Sequence, residues 1–227
     1  MPPAKKRKSS PRQSREARSA AILRAAREVF EEKGYEAATI SEIADRIGVV
    51  EGTVFHYFGS KRKLVFAVME SFYQQITEEV KEALKGIRGT HGRMRYIIWF
   101  QLKTVTENAT LCSVILNESR GLDREFTKDV KKFNRNYTDA LKTVIQEGVE
   151  CGDLRSDLSI ELIRNMVYGS IEHVLWELIS YRRKVNIEES TDQITSMLYE
   201  GIVLRGEKTS TNDVSLLIGK LNRLLEN

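Results

Sequence analysis

Hydroxyl and cationic side chains occur between residues 38 and 63 where two helices are predicted to begin. Thr39 or Ser41 can cap the start of one helix, and Lys61 follows Ser60 at the start of another. The N-terminus of a helix carries partial positive charge and unpaired N–H groups, so it attracts phosphate, and a lysine there adds a full charge. A capping hydroxyl at such a place also lies within reach of a phosphate. These residue types therefore predict contacts to a nucleic-acid backbone.

Three residues between these two helix starts have the chemistry to read bases. Glu51, Gly52 and Thr53 open a third predicted helix, which extends from about Glu51 to Tyr57. Glycine lets the backbone come close to a base edge, and threonine offers both a hydroxyl and a methyl group. Glu51 could accept a hydrogen bond from a cytosine amino group, or it could only face solvent. The segment therefore predicts a short helix that reads DNA.

Apolar residues around these side chains predict the two crossed helices that must position them. The first helix presents Ile40, Ile43, Ala44 and Ile47 on one face, and Val49, Val54 and Phe58 cover the crossing from the second segment. Gly48 lies between the two segments and can take the positive φ that a tight turn requires. The small side chain of Ala44 lets the helices approach closely. This arrangement is typical of a helix-turn-helix, whose second helix lies in the major groove of DNA.

The same stretch resembles the DNA-binding domain of the tetracycline-repressor (TetR) family. The resemblance covers the first third of the chain and is carried by Ile22, Thr39-Ile40-Ser41-Glu42-Ile43-Ala44, Gly48-Val49, Gly52-Thr53-Val54-Phe55-His56-Tyr57-Phe58 and Ser60-Lys61-Arg62-Lys63-Leu64. It implies a homodimeric transcription regulator that binds double-stranded operator DNA as a repressor and is released by a small-molecule effector.

The resemblance also implies particular DNA contacts. It implies contacts to backbone or bases for Thr39, Ser41, Phe55, His56 and Tyr57. Two positions depart from the family pattern. Phe55 replaces the usual tyrosine, which removes a hydroxyl that would donate to phosphate. Val50 stands where a capping serine is common, so the reading helix is predicted to begin without a side-chain cap.

The sequence lacks a catalytic or metal-binding constellation, so no enzyme activity, cofactor or metal is predicted. His56, His91 and His173 have no i, i+4 partner suited to zinc, and neither a GxSxG motif nor a phosphate-cradling glycine loop occurs. His173 lies on an apolar helix, where it is either a core residue or a ligand contact. Cys112 and Cys151 are far apart and lack CxxC spacing, so both are predicted to be buried free thiols.

Positive charge is concentrated at the N-terminal end of the chain. The net charge is +4, but residues 1–63 hold 14 Lys and Arg against 8 Asp and Glu, a net of +6. Such an imbalance indicates a polyanion-binding domain attached to one that does not bind polyanions. No apolar run approaches the roughly 20 residues of a membrane helix, and no secretory signal is recognisable. A cytoplasmic chain with no membrane partner is predicted.

With three prolines in 227 residues, helices are seldom interrupted, so an all-α fold is predicted. Four parts are expected: a disordered basic arm (1–14), a three-helix helix-turn-helix DNA-binding domain (15–62), a helical ligand-binding and dimerisation domain (63–206) and an extra amphipathic C-terminal helix (207–227). The arm could follow phosphates or a minor groove, or it could be a solvated tail. The extra helix is expected to dock on its own dimer, and recruitment of a different partner is the alternative.

Aromatic and apolar residues of the second domain could line a tunnel for an apolar small molecule. The candidates are Trp99, Phe100, Leu116, Phe133, Tyr137, Met166, Tyr168, His173 and Trp176, and Arg120, Lys128, Lys131, Lys132 and Arg135 could form a cationic rim for CoA phosphates. In the alternative interpretation the aromatic residues are core and the lysines are a solvated face. The predicted helix from about 159 to 183 is apolar on more than one face, so it needs partners on both sides. One side can cover the cavity and the other can pair with a symmetry mate.

The segments VIQEGVECGDL, NMVYGSIEHVLWELI and ITSMLYEGI resemble the acyl-CoA-responsive repressors of fatty-acid degradation within the TetR family. This resemblance implies a fatty acyl-CoA effector, and the family implies that the last two helices of its domain build a four-helix dimer interface. Regulation of a multidrug efflux gene by aromatic or cationic compounds is the alternative. A helical adaptor that does not bind DNA is the alternative from another functional class.

Overall fold

The structure is a computed structural model that describes residues 15–119, 124–182 and 184–203. Only the backbone is described at residues 118, 119 and 124–126. The predicted basic arm, Arg120 and the predicted C-terminal helix lie outside the described residues.

Every regular element in these ranges is an α-helix, as the sequence predicts. The helices are α1 (Arg15–Ala37), α2 (Ile40–Arg46), α3 (Glu51–Phe58), α4 (Lys61–Lys85), α5 (Thr90–Glu107), α6 (Ala109–Ser119), α7 (Arg124–Glu150), α8 (Ile160–Tyr181) and α9 (Ile187–Ile202). Gly34 takes a φ of 76° and kinks α1 near its end, a conformation that a side chain would strain. Among the described helices, none has the apolar length needed to cross a bilayer.

Side-chain caps mark the starts of α2 and α4, whereas α3 begins without one. Thr39 and Glu42 form a capping box at α2, in which each side chain accepts a hydrogen bond from the other residue's backbone N–H. Ser60 accepts from the N–H of Lys63 at the start of α4. Val50 precedes α3 and makes no side-chain cap. These contacts confirm the predicted caps and the predicted absence of one.

The helix-turn-helix is held by a small apolar core. Phe30 of α1, Ile43 and Ala44 of α2 and Val54 of α3 are all buried. Between α2 and α3, Gly48 takes a φ of 66°, and the N–H of Val49 donates to the carbonyl of Ala44 over 3.0 Å. The turn is therefore closed by backbone hydrogen bonds, and α3 packs on α2 and α4.

Helix α4 belongs to both halves of the molecule. Its N-terminal part packs on α1 and α3, and the same helix continues against α5 and α7. Its buried stripe extends without interruption from Leu64 to Leu84. Helix α1 also packs on α6. Helices α4 and α6 therefore both contact α1, and α4 also contacts α3.

The larger half packs around α5. Met94, Ile98 and Leu102 of α5 are fully buried, as are Leu141 and Ile145 of α7. Helix α9 packs on α5 and is tied to it by ion pairs from Arg95 of α5 to Glu188 and Asp192 of α9. Helices α4, α6, α7 and α8 also pack on α5.

The two thiols occupy different environments. Both are free, and Cys112 of α6 is buried as predicted, but Cys151 is exposed. The prediction of burial is wrong for Cys151 because this residue follows the last residue of α7, where the chain turns at Gly152 with a φ of 81°. Beyond the end of a helix, the helical spacing no longer determines which side chains are buried.

Candidate nucleic-acid interface and effector cavity

The predicted DNA-contact residues of α3 lie together at the protein surface. Its exposed members are Glu51, Gly52, Phe55 and His56, and Thr53 and Tyr57 are half-buried. Val54, the buried residue of the helix, points the other way into the core. Val50 just before the helix is 73% exposed. The exposed face therefore combines the N-terminal turn of α3 with aromatic side chains, which suits a helix that enters a groove.

The start of α2 lies on the same unit as α3. The Thr39 hydroxyl oxygen accepts from the N–H of Glu42 over 3.2 Å. This bond uses a lone pair and leaves the hydroxyl proton available to donate to a phosphate oxygen. Ser41 is exposed in the first turn of the same helix. Both predicted phosphate contacts are therefore accessible.

Lys61 is held in place by the end of α1. Its Nζ donates to the carbonyl oxygen of Glu36 over 3.1 Å and lies 4.5 Å from the centre of the Tyr35 ring. The ammonium has three donors, so the bond to Glu36 leaves others for a phosphate. Sequence reasoning missed Tyr35 and Glu36, and no local motif signals them because the contact joins residues 25 positions apart.

Three carboxylates of α1 and α2 are paired with cations. Lys33 donates to Glu42, and this hydrogen bond is the main reason why the pKa of Glu42 is lowered. Arg46 donates to Glu32 over 2.7 Å and to Glu28 over 3.2 Å. The hydrogen bond from Arg46 likewise lowers the pKa of Glu32. Pairing reduces the repulsion that these acidic groups would exert on a nucleic-acid backbone.

A cavity of about 130 Å³ lies between α4, α5, α6, α7 and α8. Its described lining is Phe72, Tyr73, Ile76, Gln101, Thr104, Val105, Cys112, Ile115, Leu116, Asn134, Tyr137, Tyr168, Glu172 and Leu175. Leu116, Tyr137 and Tyr168 were predicted as pocket residues and belong to it. The contribution of α4 was missed because Phe72 and Ile76 have the same spacing as the core stripe of that helix. Polar Gln101 among apolar residues of α5 is the sequence signal that could have located the cavity.

Other predicted pocket residues lie away from this lining. Trp99 donates its indole N–H to Glu188 over 2.7 Å, and Phe100 stacks on Tyr96 with ring centres 6.0 Å apart. Phe133 is absent from the described cavity lining, and its ring centre lies 6.1 Å from that of Tyr73. Together with Tyr73 it lines a second pocket, between α4 and α7.

Three further predicted pocket residues are exposed on α8 and are absent from the described cavity lining. Met166 is 51% and Trp176 57% exposed, and His173 is exposed as well. The helix is apolar on both faces, so its sequence pattern alone does not tell the inner face from the outer one. Val167 and Ile171 are fully buried, and this fixes the rotation of α8 about its axis.

The polar groups inside the cavity form a compact cluster. The Tyr137 hydroxyl donates to Oε1 of Gln101 over 2.6 Å. The ring of Tyr137 lies 6.3 Å from Tyr73 and 6.1 Å from Tyr168, measured between ring centres. Burial raises the pKa of all three phenols, and burial raises the pKa of the Cys112 thiol to about 12. All four groups are therefore protonated at neutral pH.

The predicted cationic rim lines a separate surface groove on α7. Lys128, Lys131, Lys132 and Arg135 line this groove together with Thr127 and Asp129. Asn134 of the cavity lies between Lys132 and Arg135 in the chain, and it is exposed. The groove and the cavity are thus adjacent on one helix, with cationic side chains outside and apolar ones inside.

Arg27 of α1 joins the two sites. Its guanidinium donates to Oδ1 of Asn108 over 2.8 Å and to Oε1 of Gln75 over 3.1 Å. It also lies 5.2 Å from the centre of the Phe72 ring, which lines the cavity. A single side chain of α1 therefore contacts both the cavity wall and the junction between α5 and α6.

Two family models match adjacent parts of the chain. The model described as bacterial regulatory proteins, tetR family, matches residues 22–68. The model described as YsiA-like protein, C-terminal region, matches residues 68–201, more than half of the chain. The two matches meet within α4, the helix that both halves share.

Curated relatives cover most of the chain at low identity. The fatty acid metabolism regulator protein of Bacillus subtilis is 24% identical over 181 residues, which is 80% of this chain and 93% of the relative. The HTH-type transcriptional repressor KstR2 of Mycolicibacterium smegmatis is 26% identical over 200 residues, or 85% and 91% of the two chains. Both relatives are named as regulators.

Solved structures share the fold. The transcriptional regulator FadR from Bacillus subtilis, in complex with stearoyl-CoA, has a TM-score of 0.72 and 23% identity over 81% of this chain and 98% of its own. A transcriptional regulator from Saccharomonospora viridis, in complex with choline, has a TM-score of 0.75 and 16% identity over 84% of this chain and 100% of its own. At these identities the likeness establishes the architecture.

Proposed function

This chain belongs to the tetR family and is a ligand-responsive, DNA-binding transcriptional regulator, and we propose that it is a dimeric repressor released from its operator by a fatty acyl-CoA. The observation that carries the choice of effector is the apolar cavity beside a cationic groove on α7. The curated relative from Bacillus subtilis is a regulator of fatty acid metabolism, and the FadR structure contains stearoyl-CoA.

The DNA-binding surface consists of the starts of three helices. Thr39 and Ser41 at α2 and Lys61 at α4 contact phosphates on either side of the groove that α3 enters. Within α3, Gly52 and Thr53 approach base edges, because they lie in the N-terminal turn. The predicted aromatic contacts, Phe55, His56 and Tyr57, lie on the same helix and complete the surface.

The dimer forms through an apolar stripe on α8. Its members are Leu162, Met166, Gly169, His173 and Trp176, all exposed and spaced at i, i+4, i+7, i+11 and i+14. That spacing places them on one face of a helix. A Cβ added at Gly169 would meet nothing within 4 Å, so the centre of the stripe is open to a partner helix. On α9, Met197 is 79% exposed and extends the apolar surface.

Release follows from the position of α4 between the two sites. In a symmetric dimer the two α3 helices must lie roughly 34 Å apart to enter successive major grooves. The cavity is smaller than the roughly 300–1,000 Å³ of typical ligand pockets, so an acyl chain must displace its walls. Phe72 and Tyr73 of α4 belong to those walls. Tilting of α4 changes the spacing, and the ligand favours the state in which it fits better.

A cationic amphiphile is the second candidate effector. The cavity offers the faces of Tyr73, Tyr137 and Tyr168 and the carboxylate of Glu172, which are the groups that recognise quaternary ammonium ions. The choline complex has the same fold. The acyl-CoA candidate has the additional support of the cationic groove on α7, which an ammonium compound would avoid.

The experiment is a titration of the protein on a labelled DNA duplex from upstream of its own gene. Palmitoyl-CoA, free CoA, palmitate and hexadecyltrimethylammonium are added in separate series, and fluorescence anisotropy follows the DNA. Palmitoyl-CoA alone should release the duplex at micromolar concentration. Release by the ammonium compound alone would favour the second candidate, and lack of DNA binding at low salt would favour a helical adaptor.

A further inference from the structure

Two tyrosine hydroxyls in the cavity have no hydrogen-bond partner among the described residues. Tyr137 donates to Gln101, but Tyr73 of α4 and Tyr168 of α8 make no such bond within ranges 15–119, 124–182 and 184–203. Both line the cavity, and their ring centres lie 6.3 Å and 6.1 Å from that of Tyr137. Each hydroxyl is therefore a donor that the described protein leaves unused.

The three phenols belong to one region of the cavity. The ring centre of Tyr137 lies 6.3 Å from that of Tyr73 and 6.1 Å from that of Tyr168, and all three residues line the cavity. Since burial keeps each of them protonated, the region offers hydrogen-bond donors without a charge.

An apolar ligand that fills the cavity must satisfy these donors. It displaces water, and a buried donor without an acceptor costs free energy. The described lining contains Glu172 but no lysine, arginine or histidine to pair with a carboxylate. A ligand oxygen that is an acceptor but carries no charge therefore suits the cavity better than the carboxylate of a free fatty acid.

We propose that Tyr73 and Tyr168 bind the carbonyl oxygen of an acyl thioester and thereby distinguish an acyl-CoA from a free fatty acid and from an alkyl chain that lacks the carbonyl. This inference rests on the proposed function and specifies which group of the effector is read. The acyl chain continues toward the apolar wall formed by Ile76, Val105 and Ile115.

The layout of α7 agrees with this placement. Lys131 lines the cationic groove, Asn134 is exposed at the cavity, and Tyr137 is buried within it. These three residues are spaced three positions apart. Positions i and i+3 are neighbours on a helix surface, so the three side chains follow one another along α7. A ligand that enters from the groove therefore passes from cationic to polar to apolar surroundings.

The test compares two ligands that differ only at the carbonyl. Calorimetry on the full chain measures the affinity of palmitoyl-CoA and of S-hexadecyl-CoA, the thioether without the oxygen, with palmitate as a third probe. The protein should prefer palmitoyl-CoA over the thioether by about tenfold or more, because a hydrogen bond is gained and no donor is left unpaired. Palmitate should bind more weakly than palmitoyl-CoA.

Tyr168→Phe and Tyr73→Phe should each reduce this preference several-fold while the affinity for the thioether is kept. Tyr96→Phe is the matched control, since Tyr96 stacks on Phe100 and is absent from the described cavity lining. The preference is the ratio of the affinities of one protein sample for palmitoyl-CoA and for the thioether. Partial unfolding of a variant lowers both affinities alike, so it does not distort this ratio.

Equal affinity of the wild-type chain for both CoA compounds would overturn the inference, as would a preference that survives in both variants. The proposed function has a separate outcome. If both CoA compounds release DNA equally well, the acyl-CoA regulator stands and the tyrosine assignment is wrong. If neither compound binds, both are wrong.

Discussion

The guanidinium of Arg27 donates a hydrogen bond of 2.8 Å to Oδ1 of Asn108, which links the first helix of the DNA-binding half to the junction of α5 and α6. Asn108 in turn donates its side-chain amide to the carbonyl of Thr104 over 2.9 Å. Thr104 lines the cavity. Two hydrogen bonds therefore connect the cavity wall with α1, in addition to the continuous path through α4.

Arg27→Gln should weaken the effect of the effector on DNA binding more than it weakens DNA binding itself. The substitution removes the positive charge above the Phe72 ring and replaces the donor to Asn108 with a shorter side chain. We expect the ratio of operator affinities without and with palmitoyl-CoA to fall by about three- to tenfold, within the range of single-residue effects on coupling. Anisotropy titrations measure both affinities.

Arg24→Gln is the control for this change because Arg24 is an exposed arginine on the same helix. If both variants keep the wild-type ratio, Arg27 has no part in communication between the sites.

Lys61→Gln and Thr53→Ala should affect DNA binding in different ways. Loss of the ammonium at the start of α4 should weaken binding to every sequence and reduce the slope of log K against log salt by about 1. Loss of the threonine side chain should change base preference at one position and leave the salt slope unchanged. Binding to a panel of single-base operator variants at several salt concentrations separates the two.

Lys85→Gln, at the far end of α4, should leave both measurements unchanged. Unaltered affinity in the Lys61 and Thr53 variants would show that the assigned DNA surface is wrong.

Trp176→Glu should shift the chain from dimer to monomer. The indole is 57% exposed and lies on the apolar stripe of α8 with Met166 and Leu162, so a carboxylate there would be buried without a partner in the dimer. Sedimentation velocity over a range of protein concentrations should show a dissociation constant raised at least tenfold. Glu161→Gln, at the start of the same helix, is the control, and an unchanged dimer in Trp176→Glu would place the interface elsewhere.

Gly148→Ala should destabilise the fold, whereas Gly201→Ala should not. A Cβ at Gly148 would lie 2.7 Å from Cγ2 of Thr90 and 2.8 Å from Cδ1 of Leu154, and overpacking of this kind costs roughly 1–3 kcal/mol. Around Gly201 a Cβ meets nothing within 4 Å, so alanine there should stabilise α9 by up to about 1 kcal/mol. Thermal unfolding measures both, and equal melting temperatures would contradict the close packing of α7 on α5.

The helix-turn-helix could be predicted closely because its determinants are local. The cap at Thr39, Gly48 with its positive φ and the buried Ile43, Ala44 and Val54 all follow from short-range pattern and are found as expected. The contacts of Lys61 with Tyr35 and Glu36 could not be predicted, since they depend on how α1 returns toward α4.

The cavity was predicted only in part because a helix that is apolar on two faces does not reveal which face is inside. Tyr137 and Tyr168 line the cavity, but Trp176 and Met166 lie on the outer face of α8. Phe72 has the spacing of the buried stripe of α4. It lines a cavity only because five helices pack around that space. Such a site is a property of tertiary packing, not of any one segment.

The central claim is tested most directly by one titration of the purified protein on its own upstream DNA at low salt, with and without palmitoyl-CoA. We predict that a dimer binds one duplex and that the acyl-CoA lowers its affinity at least tenfold, whereas free CoA and palmitate do not. A chain that stays monomeric and ignores the DNA, or a dimer whose DNA affinity palmitoyl-CoA leaves unchanged, would contradict the account.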